Sequence, residues 1–261
     1  MYSDILLDSK IPSMKEKNNQ NDEKFHCIFI SGDRDDLEAS KLHVRGLGEE
    51  YKNVDEIFVI FLHIKSVRVK ETKGIKDRKV LCFSYMYGEK PFHGTDGYIC
   101  PDTAKERDAD QHCQGCKNQL ICSGILVDKN GTAKLDAEGK PILVFVRGKG
   151  VKLGNITNYL NMLSEREDLT KIDGVSPEVD RALNRSKVVT KITMGGVATQ
   201  FGKKPAFNLV VAKEIKSQES IKKILKFSEE FLDDFHRKFD WSIKKQKEET
   251  AKEDSEIDIE F

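Results

Sequence analysis

Apolar and polar positions alternate along this chain in short strand-like runs. FHCIFI, residues 25–30, is a compact apolar run with the length of a buried strand. NVDEIFVIFLHIKSVRVKE, residues 53–71, carries the strongest signal. Its dense β-branched and aromatic run passes into alternation at Ile64, Ser66, Val67, Arg68 and Val69. GIKDRK reads as a basic turn, and VLCFSYMYG (80–88) as the next strand. Strands resume at GILVD (124–128), turn through DKNGTAKLDAEGK and return as PILVFVRG (141–148). SKVVTKITM and PAFNLVVAKEI form a hairpin-like pair around GGVATQFGKK.

Two short helices interrupt the strands. NITNYLNMLSERE has Asn155 as a candidate cap and Ile156, Tyr159, Leu160 and Leu163 on one face; SPEVDRAL has Ser176 as cap and Pro177 at its first position. From about Ser220 the period changes. Ile221, Ile224, Leu225, Phe231, Leu232, Phe235, Phe239 and Ile243 mark an amphipathic helix of about six turns, whose stripe suits core packing or pairing. The pattern predicts a mainly β fold, a small Greek-key barrel with insertions rather than a parallel α/β sheet. The expected organisation is a flexible segment over 1–24, a core over 25–215 that includes a subdomain at 93–123, the helix over 216–247 and a disordered tail over 248–261. His63, on the apolar side of its strand, reads as a core residue rather than a base.

Composition adds the setting. Charged residues make up 34% of 261 and no long apolar run occurs, so no membrane span is expected. The first residues lack the basic start and apolar core of a secretory signal, and a cytosolic setting is expected. Net charge is zero, but EETAKEDSEIDIEF (248–261) holds seven acids and one base, leaving a mildly basic body with an acidic tail.

Four of the six cysteines fall in ICPDTAKERDADQHCQGCKNQLIC, residues 99–122, as C-x12-C-x2-C-x5-C. Reduced cysteines so grouped favour a metal over disulfides. Cys113-Gln-Gly-Cys116 can put two sulfurs on one tetrahedral zinc through a knuckle that Gly115 suits, with Cys100 and Cys122 completing the site. Four protein ligands leave no place for water, so the zinc would be structural, one per chain. A redox pair explains only the CxxC and lacks its βαβ context; an iron–sulfur cluster and a site using His93 or His112 are the other readings. Cys27 and Cys82 lie in apolar runs and read as buried thiols.

The strands near this segment mix bases and rings. KSVRVKETKGIKDRK (65–79) has seven bases against two acids, among them Lys70, Lys73, Lys76, Arg78 and Lys79. Phe83, Tyr85 and Tyr87 are spaced by two, so they share a face, and Phe92 follows. VRGKGVKLG adds Arg147, Lys149 and Lys152; TQFGKKPAFN adds Phe201, Lys203 and Lys204. Rings beside cations suit a single-strand binder, in which bases stack while cations meet phosphates. Rings that merely fill the core are the competing explanation. No HExxH, GxSxG or paired-acid motif supports an enzyme.

On these features the chain resembles the replication single-stranded DNA-binding proteins of large tailed bacteriophages, over about residues 55–261. The resemblance implies an oligonucleotide-binding (OB) barrel with a zinc-binding loop insertion, short helices and a long C-terminal helix. The zinc ligands would fall on Cys100, Cys113, Cys116 and Cys122; one branch of that family uses a histidine with three cysteines. It also implies a non-enzymatic role in coating and protecting single-stranded DNA in replication, recombination and repair, in the cytoplasm of an infected bacterial host. DSEIDIEF resembles the acidic tips that recruit polymerase, helicase or primase, placing Asp258, Ile259, Glu260 and Phe261 at partners. A zinc-ribbon transcription or polymerase-associated factor is the alternative.

Overall fold

The computed structural model describes residues 26–31, 41–71, 80–85, 98–200 and 202–231. Its strands are β1 (His26–Ser31), β2 (Lys41–Arg45), β3 (Glu56–Glu71), β4 (Val80–Tyr85), β5 (Lys117–Val127), β6 (Leu143–Lys149), β7 (Val188–Thr199) and β8 (Gly202–Glu214). Helices α1 (Ala104–Ala109), α2 (Val151–Ser164) and α3 (Pro177–Ala182) lie between them, and residues 218–231 are helical. The sheet order is β2-β1-β6-β5-β3-β7-β8, with β4 paired to β3 off that path. Neighbours β1–β2, β3–β4, β3–β7 and β7–β8 run antiparallel, and β1–β6 parallel.

The described residues divide into two compact units. The first is drawn from Met1–His63, Cys122–Arg147 and Val151–Ser228, the second from Ile64–Ile121, Gly148–Gly150 and Glu229–Phe261. Within the first, β1 lies against β8 and β2 against β7, so strands from the two ends of the path return to one another. The fold is mainly β with a curled, open sheet, consistent with an OB-like architecture.

The core of the first unit forms where strand alternation meets helix. Leu42 and Val44 of β2, Ile28 of β1 and Val144 and Val146 of β6 face one way and are buried. Ile156 and Leu163 bury one face of α2, whose Tyr159 hydroxyl lies 2.7 Å from Thr190 Oγ1 on β7. The last nine residues of β5 are all buried, the mark of a strand covered on both faces. There Gly124 is required by contact: a Cβ on it would stand 2.4 Å from the Ile60 carbonyl oxygen and 2.6 Å from Val59 Cγ1.

Side chains complete the β3 ladder where β7 ends. Register runs from Glu56↔Thr193 to Val59↔Thr190. Beyond it, Ser186 Oγ donates to the Phe61 carbonyl and Arg185 Nε to that of Leu62, each at 2.9 Å. His63, expected in the core, is half-buried: Nε2 lies 2.8 Å from the Ser228 carbonyl and 2.9 Å from its hydroxyl, fastening the 218–231 helix.

One ion pair has its cation fully enclosed. Lys187 has no exposed side-chain surface, and its Nζ meets Asp180 Oδ1 at 2.7 Å and Asn184 Oδ1 at 3.0 Å. Asp180 Oδ1 also accepts the Ile172 N–H, while Asn184 donates to the Leu163 and Arg166 carbonyls. The start of α3 matches its sequence signature, with Ser176 accepting from Val179 N–H and Pro177 opening the helix.

Several boundaries differ from the sequence expectation. β2 was not anticipated. β5 starts at Lys117 rather than 124, so Cys122 lies inside a strand. α2 starts at Val151, which makes Lys152 helical, and Asn155 is no cap but donates to the Phe207 carbonyl at 2.9 Å. β7 and β8 extend through GGVAT and GKK, pairing Thr199 with Gly202, which holds φ 96°.

Gly124→Ala should destabilise the fold by about 1–3 kcal/mol, because the clash is with backbone. A denaturation midpoint equal to wild type would show that β5 has room to shift. Asp180→Ala should cost about 3–5 kcal/mol by stranding the Lys187 charge, and Lys187→Met distinctly less. The same measurement compares the two, and equal costs would contradict the charge argument.

Candidate functional site

In the second unit, hydrogen bonds shape the loop that carries Cys100, Cys113 and Cys116. The Cys116 N–H donates to the Cys113 carbonyl at 2.9 Å, and Gly115 holds φ 81°, closing the knuckle expected of CxxC. Asp110 Oδ1 accepts the Cys113 N–H at 3.0 Å, and Oδ2 accepts the Tyr98 hydroxyl. Tyr98 stacks on His112 with ring centroids 4.1 Å apart. A capping box between Thr103 and Glu106 starts α1 directly after this segment's first turn.

Basic side chains hold the loop from beneath. Arg68 of β3 is buried and donates to the carbonyls of Pro101 and Asp102. Arg107 of α1 donates to Asp102 as well, at 3.1 Å. Lys70, expected at a phosphate, donates its Nζ to the His112 carbonyl.

The thiols sense one another. Burial, then Cys100, Asp110, Cys116 and Cys82, push Cys113 up to about 11. Cys116 is raised by burial first and then by Cys82 and Cys100, against Arg107 and Arg68. Cys122 is fully buried on β5, a residue of the first unit, and burial drives it up to about 12 against the charge of Arg185. All six cysteines are reduced. Among the described residues, no three His, Cys, Asp or Glu side chains stand ready-made as a coordination shell. The donor chemistry of Cys100, Cys113 and Cys116, soft thiols around a preformed knuckle, fits zinc.

A second feature lies in the first unit, on the outer side of β2-β1-β6. Register pairs Cys27 with Arg45, Phe29 with His43, and Cys27 with Phe145, so these residues share the face opposite buried Ile28, Val44 and Val146. Phe29 and His43 are in contact at 4.7 Å between centroids, and the Arg45 guanidinium lies 5.3 Å over the Phe29 ring. Arg147 follows Phe145 by two on β6 and stays on that face. Cys27 registers three cations, Arg45, Arg147 and Lys152, whose pull is outweighed by burial that lifts the thiol to about 11. Lys152 Nζ sits 5.3 Å over the Phe207 ring.

Of the residues expected to meet nucleic acid, Arg147 and Lys152 are thus brought together, with Arg45, Phe29, His43 and Phe145 beside them. The sequence reading missed those four. Their signal was the matched alternation of HCIFIS and KLHVR. Lys149 ends β6 in the second unit, and Lys203 and Lys204 lie on β8 opposite Ala198 and Val197. Phe83 and Tyr85 occupy β4 register positions opposite the buried Val69 and Val67. Lys73, Lys76, Arg78, Lys79, Tyr87, Phe92, Phe201 and the tail residues Asp258, Ile259, Glu260 and Phe261 lie outside the described residues.

No protein-family model, curated protein or solved structure matches this chain. Among the described residues, no helix is long and apolar enough to cross a membrane.

Cys27 and Cys122 give a pH dependence whose sign follows from burial. Folding raises both thiols from 9.0, to about 11 and about 12, so the neutral form is the one the fold stabilises. That stability is fully present below pH 9 and is lost as pH climbs through 11 and 12. Urea midpoints measured across this range should fall less steeply for Cys122→Ala than for wild type. Parallel profiles would assign the alkaline loss to other groups.

Proposed function

We propose that this protein binds single-stranded DNA with little sequence preference, and that it coats and protects the strand during replication, recombination and repair. The observation that carries the proposal is the face of β2-β1-β6. There Phe29, His43 and Phe145 alternate in register with Arg45 and Arg147, and Lys152 adds its charge nearby. Rings on a sheet offer stacking surfaces that any base can use, and guanidinium and ammonium groups around them meet phosphates. A curled, open β sheet of OB-like kind is a scaffold suited to this chemistry. Contacts to the backbone and to ring faces read no base edges, so the binding is sequence-tolerant.

The cysteine loop holds one structural zinc, with Cys100, Cys113 and Cys116 among its ligands. The zinc stabilises a polar loop that Arg68, Lys70 and Arg107 already hold by its carbonyls. The bases of β3 therefore serve the loop, and the phosphate contacts fall to Arg45, Arg147 and Lys152. The acidic stretch that ends in Phe261 recruits replication proteins, its negative charge competing with DNA for the basic body until a strand displaces it.

Fluorescence titrations with single- and double-stranded oligonucleotides at two salt concentrations test the assignment. Single strands should bind far more tightly, with log K falling against log salt by about 0.7 per phosphate contacted. Phe29→Ala should weaken binding by about 1–3 kcal/mol, and Arg45→Gln should lower the salt slope by about one contact. Folded variants that bind as wild type does would remove this face from the reading. Absence of single-strand binding in the intact chain would favour a zinc-ribbon protein that contacts protein first.

A further inference from the structure

The sequence groups Cys122 with the other three thiols because it follows Cys116 by only six positions. Cys122 belongs to the first unit, inside β5, whereas Cys100, Cys113 and Cys116 belong to the second. The second unit contains one more cysteine, Cys82 on β4.

The antiparallel β3–β4 register sets Cys82 opposite Lys70. Lys70 donates to the carbonyl of His112, the residue before Cys113. Cys82 and Lys70 therefore share a face of the β3–β4 pair, the face from which Lys70 reaches the residue beside the knuckle. Cys82 is buried, as are Cys100 and Cys113. Cys122 is fully buried inside β5.

We infer that the fourth zinc ligand is Cys82, which completes a site with Cys100, Cys113 and Cys116 inside one unit, and that Cys122 is a structural core thiol. The inference rests on the zinc reading above and changes its ligand set to C-x17-C-x12-C-x2-C. Four thiolates around a divalent ion carry two net negative charges. Arg68, Arg107 and Lys70, all tied to the same loop, supply the offsetting positive charge. Binding would release the thiol protons.

Cobalt(II) substitution of the full chain reads the number of thiolates through the sulfur-to-cobalt charge-transfer band. Wild type should bind one cobalt with a four-thiolate band. Cys82→Ser should lose about a quarter of that intensity and bind more weakly, since one of four ligands is gone. Cys122→Ala should keep band and stoichiometry. Loss in Cys122→Ala with an unchanged Cys82→Ser overturns the assignment, and so does an unchanged band in both. Wild type that takes up neither cobalt nor zinc removes the zinc reading itself.

Alkylation mapped by mass spectrometry needs no variant to fold. In zinc-loaded protein Cys82, Cys100, Cys113 and Cys116 should resist iodoacetamide, and chelation should expose all four while Cys122 stays protected. Chelation that exposes Cys122 and leaves Cys82 protected refutes the proposal.

Discussion

The stretch of β3 from Val59 to His63 is the constraint on which the first unit depends. Within five residues, four separate parts of the chain are fastened to it. β7 pairs at Val59 and β5 presses Gly124 against Ile60. Ser186 and Arg185 occupy the Phe61 and Leu62 carbonyls, and Ser228 meets His63. The strand is so crowded that each partner must present either no side chain or a donor. A buried carbonyl without such a donor would cost about as much as a lost hydrogen bond. The basic residue Arg185 is therefore tied to the architecture rather than to any ligand.

The same logic divides the cations of the second unit. A run of bases in a sequence reads naturally as a surface for phosphates, yet Arg68 and Lys70 turn toward carbonyls of the cysteine loop. Carbonyl groups that leave a short loop unpaired need donors, and a guanidinium offers several in one plane. The chemistry of cation and ring reappears in the first unit, where strands too short to stand out bring Phe29, His43, Arg45 and Arg147 onto one face.

How much could be read from the sequence follows from these facts. β3 was legible because its apolar run is long and β-branched. α3 was legible because Ser176 and Pro177 are a local signature of a helix start. β2 was not, since KLHVR has two buried positions in five residues and its partner lies across an intervening segment. β5 was read short because Asn118, Gln119 and Ser123 look like loop, although Gln119 and Ser123 are buried. The thiols show the same limit. Spacing identifies the CxxC knuckle, but which distant cysteines stand beside it depends on strand register, which spacing alone does not show.

The pairing of β3 with β7 joins residues about 130 positions apart. A chain emerging from a ribosome at about 5–20 residues per second would expose β3 for many seconds before its partner exists. During that interval Ile57 to Leu62 present unpaired peptide groups and a dense apolar surface to every neighbour. Such non-local pairing also makes folding slow, because loop closure must precede the contacts that reward it. Chaperones that shield extended apolar segments would therefore govern how much of this protein reaches its native state.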